Sequence, residues 1–338
     1  MARKGRSIIQ YTVVTTPDVE NLLVSLGLDH GRIHPIKGGW SYWTFEIEYR
    51  CRDEHTESSN PGWIFRFPRN SVVAKNLRKE QAVLPVVAPQ VEFAVPCFEY
   101  VGTWRGQPYA GYRRIPGRPL SSRPYTHTKL AGEVAESIAA ALSSLHDIPA
   151  SLVSEACGMD PTVEAWRQRY DELRETVRIS ISPLLDSRMR EAVERGFNRF
   201  LDEELTTLDD VALVHCDLGC EHILIEEDGV AGLIDFEDAT IGDPAIDFVG
   251  IYVTYGMEAV ERIRDGYQRE SDVQGASVVQ HTSCIHRALD VNFVNRLRFY
   301  TWMASCHEVI YGLEEGRADL VEEGIAGLQA RLGHAGLL

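Results

Sequence analysis

Residues 213–248 read LVHCDLGCEHILIEEDGVAGLIDFEDATIGDPAIDF. His215, Asp217, Glu221, His222, Asp235, Glu237, Asp238, Asp243 and Asp247 sit there among Leu, Ile and Val, residues that favour strands. Removing charge from water beside an apolar strand is costly, so the stretch points to a bound ion: a metal, a phosphate or both. Its middle, HILIEEDGVAGLIDF, is two apolar runs around Asp228-Gly229, the dipeptide that marks a two-residue hairpin turn. With that pair at the turn centre, His222 falls opposite Asp235, their Cβ atoms about 4.5–5.5 Å apart. Asp217 lies a few residues upstream of His222, near enough for the intervening loop to return it to the same side. An imidazole and a carboxylate so placed can share one cation.

Two ions compete for this site. His215, Cys216, Cys220 and His222 offer zinc ligands, but C-x3-C-x-H with no second pair elsewhere departs from structural zinc spacings. Magnesium with phosphate oxygens suits the carboxylates better, because it binds through one or two protein groups and lets a nucleotide complete the shell. His222 is a softer ligand than magnesium ordinarily takes.

Outward from this stretch the chain changes character. Before it, GGWSYWTFEIEY (38–49) and WIFRF (63–67) read as strands, joined by a polar, turn-rich segment at 50–62. SVVAKNLRKEQAVL (71–84) reads as a helix closed by Pro85. CFEYVG and PYAGYRRIPG (108–117) form another strand pair ending at a Pro-Gly break. The first third therefore reads as strands, and the remainder of the chain is mostly helical. Leu130, Val134, Ile138, Leu142 and Leu145 recur at helical spacing, and Asp160-Pro161 supplies an N-cap and first-turn pair for a helix carrying Val163, Trp166, Tyr170, Leu173 and Val177. Two further helices cover RALDVNFVNRLRFYTWMASCHEVIYGL and ADLVEEGIAGLQARL. The boundary between a small strand-rich part and a large helical part falls near 112–118.

At 338 residues two domains are the natural expectation. Lys and Arg number 34 against 50 Asp and Glu, a net charge of −16. That field repels nucleic acid and attracts a cationic small molecule. No run approaches the ~20 apolar residues of a membrane span, and the start is too short in apolar residues for a secretion signal. Seven scattered cysteines suit reduced thiols in a cytoplasmic protein.

The sequence H-C-D-L-x-x-x-H-I-L, then L-I-D-F-E-D-A, then G-D-P-A-x-D-F, resembles the antibiotic phosphotransferases with a protein-kinase-like fold. The likeness is greatest to the 2''-aminoglycoside phosphotransferases, then the macrolide phosphotransferases, both of which carry His where most relatives carry Asn. The resemblance implies an α+β, two-lobed fold: a nucleotide-binding antiparallel-sheet lobe over 1–112 and a helical lobe over 113–338 holding the catalytic loop, metal site and substrate site. It implies that Asp217 orients the acceptor hydroxyl or accepts its proton, and that His222 and Asp235 bind Mg2+. Arg66 stands where the phosphate-gripping lysine is expected and Glu80 where its helical ion-pair partner is expected. Gly38, Gly39 and Ser41 occupy the phosphate loop, and Arg113 to Ile115 the hinge that reads the purine.

The function implied is transfer of the γ-phosphate of ATP or GTP to a hydroxyl of a small molecule, an aminoglycoside foremost. A macrolide, or a choline- or sugar-type metabolite, is the alternative acceptor. Two other classes remain beside it, a nucleotide-binding but inactive module and a zinc protein. Asp243 and Asp247 read as structural residues that bond nearby backbone, and His215 as an anchor of its loop. Cys216 and Cys220 read as small packing residues. Glu237, Asp238, Glu308, Glu314 and Glu315 could meet substrate amines, with charged surface as their default.

Overall fold

The computed structural model describes residues 9–28, 31–48, 62–122, 130–227, 229–274 and 290–338, with 268–274 described by backbone alone. By packing, the chain divides into two compact units: residues 1–122 with 222–238, and residues 123–221 with 239–338. The expected division at 112/113 left the hairpin with the helical part. It clusters with the sheet because a short strand, Arg118–Pro119, pairs with its first arm, Arg118 opposite Ile225.

The first unit opens with a helix where strands were expected. α1 (Thr16–Ser25) starts at a capping box in which Thr15 and Asp18 bond reciprocally, with Pro17 in its first turn. Its buried Val19, Leu22 and Leu23 pack on Phe45, Phe65 and Phe67 of an antiparallel sheet. That sheet joins β1 (Ile33–Ile36), β2 (Tyr42–Ile47), β3 (Trp63–Pro68), β4 (Phe98–Trp104) and β5 (Gln107–Arg113) in the order β1-β2-β3-β5-β4. The expected polar segment between β2 and β3 lies outside the described residues. A second cluster sets Tyr42 and Ala110 against Val73 and Leu77 of α2 (Val73–Val87). Pro85 does not close α2; the helix runs two residues past it. Pro85 forgoes one backbone bond in the last turn, while Val83, Leu84 and Val87 are 0–2% exposed, and their burial outweighs that loss.

The hairpin forms in another register than expected. Strands Ile223–Glu226 and Gly229–Leu233 pair Glu226 with Gly229, so the turn centres on 227–228, and Asp228 lies outside the described residues. Glu227, at φ 53, carries the left-handed backbone; Gly229 is the first residue of its strand. The register then shifts between Leu224 and Ile225. Gly232 is held by close approach, since a Cβ there would meet Ala94 O at 2.7 Å and Ile115 at 2.6 Å. His222 therefore lies opposite Ile234, whose N–H donates to its carbonyl.

The second unit is helical. Expected stripes are buried in α3 (Gly132–His146), as Val134, Ile138, Leu142 and Leu145. α4 (Ala150–Cys157) precedes α5 (Val163–Ser180), which is capped by Thr162 rather than Asp160: its hydroxyl oxygen accepts from Ala165 N–H and donates its own hydrogen to Asp160. α6 (Ser187–Arg199), α7 (Val249–Tyr255) and α8 (Met257–Gln274) come next, then the long helices Phe293–Glu315 and Ala318–His334. A short ladder pairs Ala212–Val214 with Thr240–Gly242. Phe200 stacks on Phe299 at 3.7 Å in the core. No helix among the described residues is long and apolar enough to cross a membrane.

Candidate active site

In the first unit, β3 and α2 bring a charged cluster into the interior. Arg66 is 4% and Glu80 0% exposed. Arg66 Nη1 donates to Glu80 Oε1 at 2.9 Å, and Nη2 donates to Asp235 Oδ1 at 2.9 Å. Its guanidinium also lies over the Tyr42 ring, 3.9 Å from the centroid. Burial by itself would lower the Arg66 pKa, but Glu80 and Asp235 reverse that and hold it charged. Glu80 Oε1 accepts a second bond from the Phe236 N–H at 3.2 Å, and burial pushes this acid upward against the pull of Arg66. The expected pairing of Arg66 with Glu80 is thus present, and Asp235 joins it.

His222 Nε2 stands 3.7 Å from Asp235 Oδ2. The two groups meet although they are not opposite in the ladder. Asp235 leaves the strand at φ 71, a left-handed conformation uncommon for a residue with a Cβ, and this turns its carboxylate back. Glu237 was read as surface charge; it is 7% exposed. Burial, then the neighbouring Asp235 charge, push it up to about 7, with the Ser41 hydroxyl bonded to it. Glu237 Oε2 has no hydrogen-bond partner among the described residues. Asp235 and Glu237 supply carboxylate oxygens beside the Arg66 guanidinium, and hard oxygens suit a divalent cation that takes few protein ligands. Among the described residues no group of three or more His, Cys, Asp or Glu could hold a metal. Magnesium is undemanding here, since it takes few protein ligands.

Gly38 and Gly39, between β1 and β2, have φ 107 and 74, conformations that glycine adopts freely. Space around both is open, so the chain between them can approach a ligand closely. At the other end of the unit Arg113 stacks on Trp63, 3.7 Å from the ring, and Ile115 is 8% exposed.

In the second unit, Asp217 is exposed on the loop after strand Ala212–Val214. The preceding residue, Cys216, has φ 72. The amides of His215 and Cys216 each donate to the Asp247 carboxylate at 2.8 Å. Asp247 also meets His146 Nε2 at 2.9 Å. Asp243 caps the turn Pro244–Phe248, accepts from Tyr300 at 2.8 Å and pairs with the buried Arg296 at 2.7 Å. Both aspartates are structural, as their setting suggested. Cys220 is buried, its thiol pushed by desolvation up to about 11. Behind the loop, a Cβ on Gly250 of α7 would collide with the Leu218 carbonyl oxygen. Sequence reasoning missed Tyr42 and His146. Tyr42 carries no motif of its own; His146 ends an apolar stripe, and its polar ring at that inward position was the available signal.

Comparison with known proteins brings three findings. A model of the phosphotransferase enzyme family matches residues 32–279. The viomycin phosphotransferase of Streptomyces vinaceus is 33% identical over 193 residues, 54% of this chain and 63% of that protein, so under two thirds of the relative is spanned. Among solved structures, the GDP and kanamycin complex of APH(2'')-IIIa aligns with TM-score 0.74 and 20% identity over 94% of this chain and 98% of the other. Macrolide 2'-phosphotransferase type I aligns with TM-score 0.67 and 24% identity over 94% and 99%. These likenesses establish the protein-kinase-like α+β fold, an antiparallel-sheet unit with a mostly helical one.

Proposed function

The chain belongs to the phosphotransferase enzyme family, and from that premise we propose that it moves the γ-phosphate of ATP or GTP to a hydroxyl of a cationic antibiotic, an aminoglycoside foremost, in the cytoplasm. The observation that carries the reading is the fork of Arg66, shared between Glu80 and Asp235, with His222 at 3.7 Å from the same Asp235 carboxylate.

Phosphoryl transfer asks a protein mainly to position reactants and to neutralise charge on the moving group. Arg66 holds phosphate oxygens with a fixed, planar set of donors. Backbone amides around Gly38, Gly39 and Ser41 cover the phosphates, and the hinge from Arg113 to Ile115 meets the purine edge. His222 and Asp235 would hold Mg2+, which when bound would supply positive charge to the terminal phosphates. Asp217 accepts a hydrogen bond from the acceptor hydroxyl and takes its proton. The hydroxyl oxygen bonds to the γ-phosphorus as the bridging oxygen departs with the nucleoside diphosphate. Asp235 is half-buried, and its attraction for the ion would be stronger there than in open water.

The viomycin, kanamycin and macrolide in the relatives' descriptions define the acceptor panel. Nucleotide consumption is measured with ATP and with GTP in the presence of each drug, and of choline and simple sugars. Consumption stimulated by the cationic drugs supports the proposal. Stimulation by macrolides or metabolites alone reassigns the acceptor, and nucleotide binding without any transfer reduces the protein to a binding module.

A further inference from the structure

We infer that Tyr42 is a positioning residue for the candidate phosphate grip: the face of its ring fixes the plane of the Arg66 guanidinium, so that the fork meets a nucleotide in one orientation. The inference rests on the proposed role of Arg66.

The sheet register places Tyr42 there. Arg66 of β3 lies directly between Thr44 of β2 and Ala110 of β5. Tyr42 stands two residues along β2 from Thr44, opposite Pro68, and Tyr112 two residues along β5 from Ala110, opposite Ile64. Alternate residues of a strand share one face, so a tyrosine lies diagonally from Arg66 on either side, within reach of a long side chain. The two meet it differently. The Tyr112 hydroxyl is hydrogen-bonded to the guanidinium, whereas Tyr42 offers its ring, the centroid 3.9 Å from Arg66 Cζ. α2 closes over the same face, setting Val73 and Leu77 against Tyr42 and Ala110, and it delivers Glu80 to the fork.

The Tyr42 hydroxyl is buried and has no hydrogen-bond partner among the described residues. Burial holds it protonated far beyond the ordinary tyrosine range, so the ring is neutral and meets the cation through its face alone. At 5% exposure the ring also keeps water from that side of the guanidinium, which is weakly hydrated to begin with. A ring beneath an ammonium fixes no direction, because the ammonium has no plane. A guanidinium does have one: Nη1 is committed to Glu80 and Nη2 to Asp235, each at 2.9 Å, and turning the plane would break both bonds. Arg66 stands where the family resemblance places a lysine, and the Tyr42 ring is the part of this chain that lets a planar cation serve in that place.

The test compares Tyr42→Phe, which keeps the ring, with Tyr42→Leu, which removes it, each alone and combined with Arg66→Lys. Binding of Mg2+-ATP and Mg2+-GTP is read by calorimetry. Tyr42→Leu is expected to weaken it about five- to thirtyfold, the range of a desolvated cation–π contact, and Tyr42→Phe to stay within about twofold of the wild type. In the Arg66→Lys background the loss from Tyr42→Leu should shrink to under about threefold, because the ring then has no plane to hold. An equal loss in both backgrounds, or a Tyr42→Phe variant as weak as Tyr42→Leu, overturns the inference. Should Tyr42→Leu fail to fold, fluorinated phenylalanines at position 42 decide. Ring fluorines withdraw charge from the face with little change of shape, so nucleotide Kd should climb stepwise with their number, by about threefold at the third; a flat series overturns the inference as well. The guanidinium also gives a readout without nucleotide. Nitrogen NMR resolves separate Arg66 Nη–H signals only while the plane is fixed, and these should persist in Tyr42→Phe and merge in Tyr42→Leu; signals unchanged in Tyr42→Leu overturn the inference. A wild type that binds no nucleotide yet shows the expected NMR pattern would sink only the proposed function.

Discussion

A guanidinium can hold two carboxylates along two edges of one plane, and an ammonium has no such edges. At Arg66 this difference shapes the candidate nucleotide site, because Nη1 and Nη2 each serve a separate acid at 2.9 Å and the Tyr42 ring supports the plane. Arg66→Lys keeps the charge and gives up one of the two pairings. It is expected to weaken magnesium-nucleotide binding about tenfold, read by calorimetry, whereas Arg66→Ala, which strands buried acids, should destabilise the fold by about 3–5 kcal/mol. At this scale the sequence was legible where a motif fixes both residue type and spacing. Asp217, His222, Asp235, Arg66 and Glu80 were all singled out, and the four that lie in the sheet unit gather there around Arg66 and Asp235. Glu237 was not legible. Its burial depends on packing between segments far apart in the chain, and no local pattern distinguishes a buried acid from an exposed one.

Elements were legible where apolar period and length agree, as in α3 and the helix Phe293–Glu315. Their ends were less so. Pro85 lies inside its helix because three buried apolar residues in that last turn outweigh one missing bond. The hairpin turn lies one position before the Asp-Gly pair, with Glu227 in the left-handed conformation and a register shift between Leu224 and Ile225 that no local sequence pattern announces. The N-terminal helix α1 escaped notice although Thr15, Pro17 and Asp18 carry its cap. Two predictions belong here. Gly250 of α7 packs so closely on the loop after Asp217 that Gly250→Ala must push Leu218 aside. It should cost about 1–3 kcal/mol in chemical denaturation and depress turnover together. At the end of α3, burial pushes Asp147 up to about 6, with His146 pulling the other way. A carboxyl whose pKa is raised on folding binds its proton more tightly in the native state, so its ionisation costs stability as pH rises from about 3.8 to about 6. Removing the negative charge from a helix C-terminus adds in the same direction. Asp147→Asn should therefore melt with the wild type at pH ~3.5 and above it at pH ~7; equal melting at both would refute the assignment.

For the whole molecule, a net charge of −16 sets the field that an acceptor meets. A polycationic acceptor is drawn in, and salt screens that attraction over about 10 Å at 0.1 M. KM for an aminoglycoside is expected to climb with ionic strength while KM for an uncharged acceptor stays level. The division into a sheet unit and a helical unit was readable from the change in periodicity, but the return of residues 222–238 to the sheet was not, because strand pairing across a hundred residues leaves no local signal. The central claim is that this chain transfers a phosphoryl group and that Asp217 serves the acceptor. It is tested most directly by incubating the enzyme with terminally labelled nucleotide, Mg2+ and kanamycin, then following the label by mass spectrometry. The account expects label covalently on the drug with the wild type and a loss of about 10²–10⁴ in that rate for Asp217→Asn, whose folding is unchanged. Label found only as free phosphate across the acceptor panel, or an Asp217→Asn variant as active as the wild type, would contradict it.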